Sequence, residues 1–108
     1  MDKDKIYITH ILEAVSFIEE SLKTKNADNL KTDKMLRDSI IRNLEIIGEA
    51  SKNLSEKFRS GTIEINWPEM ISMRNRLIHE YFGVDLEVVW QTIQNDLPLL
   101  KKVLSGKK

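Results

Sequence analysis

The chain contains no cysteine, so no disulfide can staple it as a small secreted fold. Its first residues, MDKDKIYITH, lack the apolar core and small-residue cleavage site of a secretory signal. A cytoplasmic setting is the expectation. No apolar run approaches the roughly 18 residues that a membrane span needs. Charge of one sign is missing too: 17 Lys and Arg balance 17 Asp and Glu, so any polyanion must be met by local contacts rather than long-range attraction. Lys101, Lys102, Lys107 and Lys108 make the tail basic, which reads as cations complementing a helix C-terminus and solvating a chain end. The two histidines, His10 and His79, lie far apart, and four scattered glycines form no phosphate-cradling loop, so neither a metal site nor a nucleotide loop is indicated.

What is present is helical periodicity. Four segments repeat their apolar residues at three and four positions and none alternates with period two, which predicts an all-α single domain over residues 1–108. A chain this short has little core to spare, and a dimer would help it. Ile8, Ile11, Val15, Ile18 and Leu22 make one seam on a first helix from Asp4 to Lys25, with His10 off the seam as a surface residue and the polar stretch NADNLKTD as a loop. A second helix runs from its cap Asp33 to Phe58, with Leu36, Ile40, Leu44, Ile47, Leu54 and Phe58 inward. Ile46 and Ala50 put apolar surface on another face, and Gly48 suggests close approach of a backbone, either a second chain or a crossing helix of the same one.

Asn66-Trp67-Pro68-Glu69 opens a third helix as a capping box, with Pro68 in the first turn where its missing N–H is harmless. Gly83 ends it, and Asp85 caps a fourth helix with the seam Leu86, Val89, Ile93, Leu97, Leu100 and Leu104. Short connections make these an antiparallel bundle of about four helices.

The third helix carries the anomaly. Its seam reads Trp67, Met70, Ile71, Ile78 and Tyr81, and Arg74 falls inside it. A guanidinium stays charged, so burial there demands a partner: an acid on a neighbouring helix, solvent reached by snorkelling, or an anion in a cleft. Spacing alone favours the first two. Tyr81 returns to within about 20° of Arg74, whereas His79 lies about 140° away and one turn beyond Asn75. Taken alone, His79 reads as a histidine at a helix C-terminus.

Arg74-Asn75-xxx-His79-x-Tyr81 resembles the Arg-x4-His signature of the HEPN superfamily, and more narrowly the Arg-x4-His-x-Tyr pattern of its HepT-like toxins. IRNLEIIGEASKNL, INWPEMISMRNRLIHEYFGVDLEVVW and the later DLP extend the likeness over nearly the whole chain. The resemblance implies a HEPN-like bundle that dimerises through the helices carrying the motif, so that two motifs face one cleft. It implies metal-independent cleavage of RNA, transfer or messenger, with no cofactor. His79 would be the general acid or base, Arg74 would stabilise charge on the phosphoryl oxygens, and Asn75 would orient His79 or donate to the phosphate. It further implies a minimal nucleotidyltransferase antitoxin that transfers AMP to Tyr81, with higher hetero-oligomers open. Arg42 and Glu49 are candidates for lining the cleft, against a surface salt-bridge role. The competing reading is a non-catalytic HEPN-like module that binds a nucleotide or scaffolds the nucleotidyltransferase.

Overall fold

The computed structural model describes the backbone of residues 3–79 and 85–107, and their side chains except those at 74–76, 78 and 79. Among the described residues the chain forms six helices and no strand: α1 Lys3–Ser21, α2 Ala27–Thr32, α3 Lys34–Asn53, α4 Glu56–Ser60, α5 Trp67–His79 and α6 Leu86–Ser105. The all-helical class stands. No described helix is long and apolar enough to cross a membrane.

Helix α3 is the centre of the bundle, packed by α1 and by α5, while α6 covers α1 and α2. The inward stripes follow from the 3.6-residue period: Ile8, Ile11, Val15 and Ile18 of α1, Ile40, Leu44 and Ile47 of α3, and Val89, Ile93, Leu97, Leu100 and Leu104 of α6 are all buried. Gly48 is buried within the single chain.

One expected loop is helical, and one of the four expected helices is broken in two. In NADNLKTD, Asn26 accepts from the Asp28 N–H at 3.0 Å, Asn29 accepts from the Asn26 N–H at 2.8 Å, and the turn so nucleated becomes α2, which buries Leu30. Arg37 closes it by donating to the Leu30 and Lys31 carbonyls, both at 3.1 Å. The first helix therefore ends at Ser21 rather than Lys25.

The second helix stops at Asn53, because Leu54 takes extended backbone angles and Ser55 starts α4 by accepting from the Phe58 N–H at 3.0 Å. The Asp4 carboxylate accepts from both the N–H and the hydroxyl of Ser55 at 2.7 Å, which ties the start of α1 to the end of α3 and makes the two helices antiparallel. Asp33 and Asp85 cap α3 and α6 as the sequence predicts, accepting from the Leu36 N–H and from the Glu87 and Val88 N–H groups. Pro98 sits inside α6 on its exposed side.

Candidate active site

Helix α5 is fixed from its N-terminal end. Asn66 accepts from the Glu69 N–H at 3.2 Å and its amide donates to the Glu69 carboxylate at 3.4 Å, so the box closes through side chains rather than through the Asn66 backbone. Trp67 is buried, tilts against Phe58 with ring centroids 6.4 Å apart, and donates its indole N–H to Thr62 at 3.0 Å. Thr62 in turn donates to the Phe58 carbonyl at 2.9 Å, so a buried polar pair is fully satisfied. Because α4 and this turn lie at the end of α3, α5 runs back along α3 toward its middle.

The buried side of α5 is Trp67, Met70, Met73 and Leu77, with Ile71 only half-buried. This corrects the expected seam, in which Met73 and Leu77 were absent. On an ideal helix the correction turns the inward stripe by roughly 60°, which moves position 74 from its middle to its flank. Arg74, Asn75 and His79 all belong to one uninterrupted helix, with Asn75 and His79 one turn apart along it. The side chains of these three, and all of Tyr81 and Gly83, lie outside the described residues.

Arg42 and Glu49 do come together. Both line a groove of about 190 Å³ between α1 and α3, beside Glu45, Ile46 and two residues of α1, Tyr7 and His10. Tyr7 and His10 meet edge to face, with ring centroids 6.2 Å apart and planes at 83°. His10 is exposed, as its place off the seam predicts; the sequence reasoning passed over half-buried Tyr7, whose three-residue spacing from His10 puts both on the α1 flank toward α3. Among the described residues no three His, Asp or Glu side chains gather as metal ligands. Half-buried Asp96 of α6 is held above the usual carboxylate range by burial and by the nearby charge of Glu69 on α5.

The family model described as Ribonuclease HepT-like matches residues 11–105, a span that contains all of α3, α5 and α6. The chain belongs to this HepT-like ribonuclease family. Among relatives, a protein of Thermococcus cleftensis named probable ribonuclease HepT is 46% identical over 97 residues, covering 90% of this chain and 88% of its own. A protein of Caldanaerobacter subterraneus subsp. tengcongensis named as an RNase is 40% identical, covering 94% of this chain and 91% of its own. A Methanocaldococcus jannaschii protein whose name joins a gamma-glutamylcyclotransferase to an RNase is 50% identical over 94% of this chain, which spans only 46% of that relative. No solved structure matches the chain.

Proposed function

We propose that this chain is the toxin of a toxin–antitoxin pair, an endoribonuclease that cleaves RNA without a metal at a site shared by two copies. The observation that carries the reading is the placement of Arg74, Asn75 and His79 on one continuous helix in a chain of the HepT-like ribonuclease family. His79 takes the proton from a ribose 2′-hydroxyl. The 2′-oxygen attacks the adjacent phosphorus and the bond to the 5′-oxygen breaks. A proton returns to that oxygen, leaving a 2′,3′-cyclic phosphate and a 5′-hydroxyl end. Arg74 offsets the charge that grows on the phosphoryl oxygens, where a fixed cation is worth most in the transition state. Asn75 holds His79 or the phosphate, and the two motif helices border one cleft.

Regulation follows the same chemistry. A nucleotidyltransferase antitoxin transfers AMP to Tyr81: the phenol oxygen attacks the α-phosphorus of ATP and pyrophosphate leaves. The adduct sets bulk and negative charge where the RNA phosphate binds. Arg42 and Glu49 line the approach to the cleft.

The test uses the full chain purified without antitoxin and shown by intact mass to carry no adenylyl group. Incubated with total cellular RNA in the presence of a chelator, it is expected to produce fragments ending in cyclic phosphate. His79→Ala should slow cleavage by about 10²–10⁴-fold and Arg74→Lys by a lesser but clear factor, since a forked contact is lost while the charge stays. The wild-type rate should titrate near neutral pH and the His79→Ala remnant should not. No cleavage of any RNA by the unmodified protein overturns the enzyme reading.

A further inference from the structure

The groove that Arg42 and Glu49 line has the shape and chemistry for a flat, neutral ring. Its floor is apolar, half-buried Ile46 and buried Ala50. Its α1 wall is the corner that Tyr7 and His10 make with their planes at 83°, so a ring laid on one of them turns its edge past the other. At about 190 Å³ it falls below the roughly 300–1,000 Å³ of sites for drug-sized molecules. It has room for one base and not for a chain of them. The rim carries both signs of charge: Arg42 and, three residues on, Glu45 are neighbours on α3, and among the described residues no ion pair or hydrogen bond engages either side chain. A phosphate would meet the carboxylates of Glu45 and Glu49, and a cation would meet Arg42. The ligand that answers both is uncharged, with acceptors next to donors.

We propose that this groove takes an unpaired guanine of the RNA substrate and so selects where the strand is cut. Guanine alone among the four bases presents two acceptors, O6 and N7, beside two donors, N1–H and N2–H. The forked Arg42 guanidinium matches the first pair, and the Glu45 carboxylate, with its two oxygens, matches the second. Adenine and cytosine turn a ring-nitrogen acceptor toward the carboxylate, and uracil offers it one donor flanked by a second carbonyl. The adjoining groove, about 420 Å³, shares His10 and Ile46 with the first and is lined by Phe17, 47% exposed. Seven residues beyond His10, Phe17 lies in nearly the same direction and about 10 Å further along α1, a platform on which the neighbouring base stacks. The proposal rests on the RNA-cleaving reading above and gives that site a sequence preference.

Equilibrium binding of the full, unmodified chain to fluorescein-labelled hexanucleotides tests it. These are 2′-O-methyl uridine throughout, or with one central G, A or C, so nothing is cleaved during the measurement. The oligonucleotide with G should bind about tenfold tighter than the other three. Glu45→Gln keeps the shape of the side chain with one acceptor in place of two, and it should erase that preference. His10→Ala, at an exposed position, should weaken all the oligonucleotides alike, by about fivefold or more. Guanosine monophosphate should compete only at concentrations well above those of the oligonucleotide; competition at equal concentration assigns the groove to a free nucleotide and overturns the proposal. Equal binding of all four oligonucleotides overturns it too, and so does a guanine preference that survives Glu45→Gln. The nuclease reading fails separately: guanine-selective binding without cleavage of any RNA keeps the groove and loses the enzyme, whereas cleavage with no guanine at a fixed distance from the cut does the reverse.

Discussion

Helices α3 and α5 face the same core with different materials. The inward stripe of α3 is Ile40, Leu44 and Ile47, all at 0% exposure, branched side chains with few rotamers packed at the centre. That of α5 is Trp67, Met70, Met73 and Leu77, in which two flexible thioethers follow one anchored indole. The contrast teaches a division of labour. Helix α3 sets the shape of the bundle, while α5, which bears the Arg74 and His79 positions, has its register set at one end by Trp67 and Thr62 and is cushioned along its length by methionine.

Substitutions can break or sharpen that contrast. Leu44→Ala on α3 should cost the most, about 2–5 kcal/mol in urea or thermal unfolding, because a fully enclosed cavity cannot collapse. Thr62→Val should come next, about 1–3 kcal/mol, by leaving the buried Trp67 indole N–H without its acceptor. Met73→Leu should stay below about 1.5 kcal/mol, since a volume-conserving change in an adaptable stripe is absorbed. If it costs as much as Leu44→Ala, the two stripes are equally rigid and the distinction falls.

The smallest effect belongs to Asp96→Asn. A carboxyl whose pKa is raised on folding contributes stability below its unfolded value near 3.8, and that contribution is lost as pH rises through the folded value. The asparagine variant should therefore melt slightly higher than wild type at pH 7 and no higher at pH 3. A variant that melts lower at pH 7 would show that Asp96 is held by favourable contacts instead.

The helical class, the caps at Asp33 and Asp85, and the seams of α1, α3 and α6 were legible because isoleucine and leucine at three-and-four spacing leave one inward face. Helix α5 was harder. Ile71 looks like a better core residue than Met73, yet burial follows the direction set by Trp67 and Met70, so the true stripe is rotated and Ile71 is only half-buried. Breaks were harder still. Leu54 and Phe58 keep helical spacing across Ser55, and only the carboxylate of Asp4, fifty-one residues away, reveals why the chain turns there. Helix α2 hid in a polar segment because its single large apolar residue, Leu30, is outvoted by its caps. Of the candidate site, Arg42 and Glu49 share a face of α3 that their seven-residue spacing shows, whereas the groove they line is completed by Tyr7 and His10 of α1, which no spacing within α3 reveals.

The bond from Trp67 to Thr62 also makes the molecule its own optical gauge. One of its two tryptophans is sealed at the root of α5 and the other, Trp90, is half-buried on α6. With Trp90→Phe, the fluorescence of a single indole reports whether the motif helix is seated, so undocking of α5 can be timed apart from melting of the remaining helices.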